Sequence, residues 1–206
     1  MINSTDADAD AVVAAIFPKV SDDHSTRRAR LVERAVAESL LDVAYRTLDS
    51  PVGSLLLAST EAGLVRVAFA CEDHDAVLEE LAGSVSPRIL QSGHRTDDVA
   101  RQLDEYFDGR RRAFDVAVDL RLISGFRRTV VSHLAEIAYG STASYAGLAA
   151  LAGNPAAVRA AASACSHNPV PVVIPCHRVI RSDGSVGKYL GGVDAKVALL
   201  ALESVA

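Results

Sequence analysis

Apolar positions change their period several times along this chain. From Leu31 to Leu41 the spacing Leu31, Ala35, Val36, Leu40 is helical. Between Val43 and Ala70 it becomes strand-like. Three short apolar runs, 43–48, 54–60 and 64–70, are separated by Asp49-Ser-Pro-Val-Gly53 and Glu61-Ala-Gly63. Such punctuation predicts three antiparallel strands with tight connections. Asp75 to Leu81 reads as a helix and 83–93 as loop or short strand. Thr96 to Phe107 is a better helix, with Val99, Leu103 and Tyr106 or Phe107 on one face and Gly109 as its stop. Residues 114–120 alternate like a final strand. Beyond Ser124, a candidate cap, Phe126, Val130, Leu134 and Ile137 form a helical stripe. A short helix is expected from about Tyr145 to Leu151, closed by Gly153. Another follows to about Ser166, with Asn154 as N-cap and Pro155 at its first position. Two short helices on a tight turn read as a helix-turn-helix, with an ordinary helical hairpin as the alternative. A last helix runs from Val193 to Ala206, with Asp194 as its expected N-cap.

The class implied is α+β: a small N-terminal domain with a three-stranded antiparallel sheet and helices, then a mostly helical C-terminal domain. The expected boundaries are 1–40 for an extension, partly flexible or helical, 41–120, and 121–206. The first 20 or so residues, in which 6–11 alternate Asp with Ala, are expected to be mobile.

Composition narrows this. Half of the 206 residues are hydrophobic, enough for a real core, and no apolar stretch reaches the length of a membrane helix. The acidic start lacks a basic region before an apolar one, so no signal peptide is expected. Cys71, Cys165 and Cys176 are odd in number and match no metal spacing, so a reducing cytoplasm and no metal are expected. The net charge of −5 is uneven. Residues 1–109 hold 10 Lys/Arg against 20 Asp/Glu, whereas residues 110–206 hold 11 against 6. Contact with nucleic acid is therefore expected from the C-terminal half, although that surplus alone establishes nothing.

Candidate chemistry centres on the stretch 172–180, Val-Val-Ile-Pro-Cys-His-Arg-Val-Ile. Burial raises the pKa of a thiol such as Cys176, while the neighbouring cations lower it. Adjacent side chains diverge, so His177 would reach the thiol through a bridging water, with a third group orienting the imidazole. The plainer alternative is a buried structural cysteine beside a hydrogen-bonded histidine. In the helix before it, Arg159 stands alone among Ala and Ser residues. That composition offers little base-edge readout and suits insertion into DNA with recognition of shape and backbone. Glu203 falls in a last helical turn, where the helix dipole disfavours a carboxylate. It either has a cationic or imidazole partner or lies on a frayed end. Cys71, His133 and the arginine clusters 27–30 and 110–112 read as structural or solvated groups.

The run 168–181, Asn-Pro-Val-Pro-Val-Val-Ile-Pro-Cys-His-Arg-Val-Ile-Arg, closely resembles the active-site signature of the O6-alkylguanine-DNA alkyltransferases. Ser144-Tyr145, 148–155, Arg159 and 186–192 resemble the same family in the same order. The resemblance is strong over 126–203, plausible over 43–120 and absent before that. It implies irreversible, stoichiometric transfer of an alkyl group, mainly methyl, from O6-alkylguanine, and O4-alkylthymine, to Cys176 after nucleotide flipping. Catalytic roles fall on Cys176, His177, Glu203 and Asn168. Tyr145, Arg159, Ala160 and Ser163 would bind DNA and flip the nucleotide. Tyr145, Pro171, Val179, Tyr189, Leu190 and Gly191 would line the pocket, and Arg178 would brace it. Double-stranded DNA bearing alkylated bases would be met through the minor groove by a monomer, with no cofactor. Cys165 stands where the family often has a larger apolar residue. The alternative is a lesion-recognition or regulatory DNA-binding protein of the same fold, although relatives that only bind lack the acceptor cysteine. A cysteine hydrolase is weaker still, since nothing points to an oxyanion hole.

Overall fold

The computed structural model describes residues 23–204. The expectation of mobility for the first 20 residues lies outside them. The chain divides into two compact units, Met1–Leu41 and Asp42–Ala206. In the first, helix α1 spans Asp23–Ala37, beginning earlier than the apolar spacing suggests, and Arg34 pairs with Glu38 one turn on.

The second unit opens with strands β1 (Val43–Leu48), β2 (Leu55–Thr60) and β3 (Gly63–Phe69). Helix α2 (His74–Ser84) then leads to β4 (Ile89–Gln91), and helix α3 spans Asp97–Phe107. The sheet order is β3-β2-β1-β4. The first three strands pair antiparallel, and β4 pairs parallel to β1. The expected three-stranded antiparallel sheet is thus a four-stranded mixed one. Three residues are too few to show alternation, and a parallel partner is brought up by the intervening helix rather than by a turn.

Central strand β2 is buried along its whole length because both faces are covered. Leu55 and Leu57 enter the main core with Phe69, Leu103 and Val130, whereas Leu56 and Ala58 join Val77 and Leu81 of α2 on the other face. Strict alternation sends neighbours to opposite sides.

The expected strand over 114–120 is extended but joins no sheet; it touches β3 by one bridge, Leu64 with Val118. Gly63 permits that approach, since a Cβ there would lie 2.4 Å from the Ala117 carbonyl oxygen. Farther along this edge of β3 the chain meets the segment before the cysteine, where the Val67 amide donates to the Pro169 carbonyl at 2.8 Å.

The remaining helices are α4 (Gly125–Leu134), α5 (Tyr145–Leu151), α6 (Val158–Ser166) and α7 (Gly192–Ser204). Ile137 lies beyond the end of α4. Asn154-Pro155 forms a turn ahead of α6 rather than its first residues, with the Ala157 amide donating to the Asn154 carbonyl. The true N-cap, Ala157, carries no capping oxygen, whereas Ser144 caps α5 by accepting from the Gly147 amide at 3.0 Å. Asp194 lies inside the first turn of α7, not at its cap. Among the described residues no helix is long and apolar enough to cross a membrane, and no group of His, Cys, Asp or Glu is placed to hold a metal ion.

Candidate active site

Cys176 begins a single 3-10 turn, Cys176–Arg178, that presents all three of its side chains to the interior. The loop leading to it is fastened from within by Asn168, which is fully buried. Its Nδ2 donates to the Ile174 carbonyl at 2.8 Å, and its Oδ1 accepts from the Val170 amide at 3.1 Å. The Ile174 amide closes the ring by donating to the Val170 carbonyl. Inside that ring Val172 has φ 71°, a conformation that a β-branched residue adopts only under strain. Replacing Asn168 would release the constraint that holds Val172 there.

A two-residue parallel pairing brings the second half of the site into place. Ala143 and Ser144, strand β5, pair with Val179 and Ile180, strand β6. Tyr145, the next residue, is thereby carried to the thiols. Burial, then the proximity of Cys165 and Cys176, raises its pKa.

The 177–178 pair is anchored from α7. Glu203 is buried, and its Oε1 lies 2.9 Å from Nε2 of His177. Arg178 donates to the same carboxylate from Nε at 2.8 Å and from Nη2 at 2.9 Å, and its Nη1 reaches the Ile137 carbonyl. The Tyr106 hydroxyl donates at 2.7 Å and the Gly140 amide at 3.3 Å. Burial alone would raise the Glu203 pKa, but the hydrogen bonds from His177 and Arg178 outweigh it and hold the carboxyl at about 2. Of the two alternatives for Glu203, the partnered one is the structure's.

These fields set the protonation states. His177 has its pKa lowered by burial, against the opposing pull of Glu203, so it is neutral at pH 7. With Nε2 committed to the carboxylate, Nδ1 is the ring nitrogen left buried without a partner. Burial pushes the Cys176 thiol up to about 11, although the Asn168 side chain and the Lys196 charge act to lower it. Cys176 is therefore a neutral thiol that needs a base. Cys165, also buried, is pushed up to about 12 by burial and then by Cys176.

Tyr189 closes the site. Its ring packs edge-on to His177, centroids 6.3 Å apart, and its hydroxyl is buried without a well-formed hydrogen bond. Pro171 and Val179 are buried, whereas Leu190 and Gly191 form a half-buried lip. Arg159, Ala160 and Ser163 lie on the exposed side of α6.

Three contributors escape sequence reasoning. Lys196 is fully buried; its Nζ donates to the Val179 carbonyl at 2.6 Å and to that of Val186, and lies 6.0 Å from the Tyr145 ring centroid. Nothing in the helical pattern distinguishes it from a solvated lysine. Tyr106 reads only as one apolar position of α3, although a wholly buried tyrosine calls for a hydroxyl partner. Phe69 reads as an ordinary strand residue, yet its ring meets Tyr189 edge-on at 5.5 Å.

Comparison with known proteins gives a consistent result. Residues 43–120 match the ribonuclease-like domain of 6-O-methylguanine DNA methyltransferase, and residues 125–205 match the DNA binding domain of the same family. The methylated-DNA–protein-cysteine methyltransferase of Mycolicibacterium paratuberculosis is 38% identical over 161 residues, covering 78% of this chain and 92% of that protein. The crystal structure of the Mycobacterium tuberculosis O6-methylguanine methyltransferase superposes with TM-score 0.70 at 36% identity, over 79% of this chain and 93% of that one. The Mycobacterium tuberculosis protein in complex with DNA superposes with TM-score 0.68 at 36% identity, over the same shares.

Proposed function

The chain belongs to the 6-O-methylguanine DNA methyltransferase family, and from that premise we propose that it repairs alkylated DNA by moving the alkyl group onto its own Cys176. The observation that carries this reading is the buried Cys176–His177 pair with Glu203 locked on Nε2, which leaves a neutral imidazole with one nitrogen open for a proton.

In the proposed step Nδ1 of His177 draws the thiol proton from Cys176 through a bridging water. Sγ attacks the carbon attached to guanine O6, the C–O6 bond breaks as the S–C bond forms, and the electron pair passes to the purine. Guanine is completed by a proton at N1, which balances by way of solvent the proton that His177 took from the thiol, with the Tyr145 hydroxyl hydrogen-bonding the departing base. Glu203 orients the imidazole and stabilises the charge it acquires, as a carboxylate does in nucleophile–base–orienter arrangements. Arg178 keeps that carboxylate ionised, and Asn168 keeps the loop in its strained form. Protein and DNA supply every atom of the transfer. A thioether is inert, so each molecule acts once.

The substrate atom is inaccessible in a stacked duplex, which requires the nucleotide to leave the helix. We place α6 in the minor groove: Ala160 and Ser163 allow close approach, and Arg159 fills the gap left by the flipped base. O4-alkylthymine is a second substrate. The protein acts as a monomer in the cytoplasm, where its thiol stays reduced.

The test is intact-protein mass after incubation with duplex DNA carrying one O6-methylguanine. One methyl group per molecule, absent from Cys176→Ser, is the expected result. Tight, selective lesion binding with no mass gain would overturn transfer in favour of a recognition-only protein.

A further inference from the structure

Strand β3 belongs to the N-terminal sheet, yet its last residues grip the site from two sides. Upstream of the cysteine, the Val67 amide holds the Pro169 carbonyl. Downstream, Phe69 packs against Tyr189, and the Cys71 thiol donates to the Leu190 carbonyl at 3.4 Å. The tightest contact is with Gly191: a Cβ there would lie 2.6, 2.6 and 2.8 Å from Cδ1, Cε1 and Cζ of Phe69. The ring has little room to yield. It is buried, and the Phe69 amide donates to Glu72 Oε1 at 2.9 Å while Glu72 Oε2 is held by Arg66 at 2.6 Å. Three successive lip residues, Tyr189, Leu190 and Gly191, are thus set by the end of β3 and the turn that follows it, about 120 positions earlier.

We propose that Phe69 is a positioning residue for alkyl transfer, whose ring, wedged between Tyr189 and Gly191, fixes the pocket lip and so the size of adduct that can approach Cys176. The inference rests on the transfer reading above. Phe69 touches no reacting atom; it acts through Tyr189, which packs on His177, and through the backbone of Gly191. A shorter side chain at 69 would let the lip sag, and a Cβ at 191 would push it outward. The two changes oppose each other in volume.

The experiment compares single-turnover rates of wild type, Phe69→Leu, Gly191→Ala and the double variant on duplexes carrying O6-methylguanine or O6-benzylguanine. Thermal unfolding and lesion affinity are measured in parallel. Each single variant is expected to transfer methyl about tenfold more slowly and to change the methyl-to-benzyl ratio, because small displacements at a reacting centre are costly. The double variant is expected to recover methyl transfer to within about threefold of wild type, since the cavity made at 69 takes up the added methyl group. A purely structural role would lower folded fraction and rate together, leave the adduct ratio unchanged and give no recovery; that result overturns the inference. A wild-type protein that fails to transfer methyl overturns the transfer reading, and this inference with it.

Discussion

Glu203 and His177 stand 26 positions apart, and a 2.9 Å contact between Oε1 and Nε2 joins the last turn of α7 to the residue after the cysteine. The same carboxylate takes both Arg178 donors and the Tyr106 hydroxyl, so one side chain holds together α7, the active-site turn and α3. An acid buried with this many donors is stable only while ionised, and removing it strands an arginine in the interior.

Glu203→Gln keeps the shape and removes the charge. We expect it to cost about 3 kcal/mol of stability, the scale for breaking a buried pair. Methyl transfer should slow by about 10²-fold, the lower end of what a positioned acid–base group contributes. Urea unfolding and single-turnover rates check the two effects separately.

Acid should loosen the protein through this residue. The folded Glu203 carboxyl sits at about 2, below its ordinary value of 4.5. The folded state thus binds fewer protons between these values, and the contribution is whole above pH 4.5 and lost as pH falls through about 2. A shift of this size corresponds to about 3 kcal/mol. Unfolding free energy measured from pH 6 to pH 2 should show the decline in wild type and a shallower one in Glu203→Gln.

The pH–rate profile should report the base rather than the nucleophile. Burial lowers the His177 pKa from its ordinary value, so its neutral form predominates at pH 7. Transfer by wild type should rise with pH only in the acid range and be flat above neutrality. In His177→Ala the thiol has no base, and the rate should climb about tenfold per pH unit toward the thiol's own value of about 11.

Arg159 is exposed and makes none of the hydrogen bonds of the carboxylate network, so Arg159→Ala should leave thermal stability unchanged. Rates on duplex substrate should fall by about tenfold or more, the scale set by a few kcal/mol of unstacking. Rates on free O6-benzylguanine base, which needs no flipping, should match wild type. Equal losses on both substrates would count against a flipping role.

The chain's order of residues determines much of this protein. Period-two runs and their Pro and Gly punctuation place β1 to β3, and period-3.6 stripes place α3 and α4, because both signals are local consequences of backbone geometry; start and stop residues mark α5 and the end of α6 but misplace the start of α6. The Cys176-His177-Arg178 triplet, the small residues around Arg159 and the ill-placed carboxylate of Glu203 are equally visible as residue types in order. Only tertiary structure decides what they meet. Strand β4 is three residues long and exists because β1 offers it a parallel edge. Residues 114–120 have a strand's alternation but one bridge, because farther along that edge of β3 the Val67 amide bonds to Pro169 of the active-site segment instead. Tyr106, Lys196 and Phe69 look like ordinary helix and strand residues. Their parts come from partners 97, 17 and 120 positions away, which no local period encodes. Burial then sets the protonation states, so a cysteine recognisable by eye becomes a neutral thiol beside a neutral histidine only when the interior closes around both.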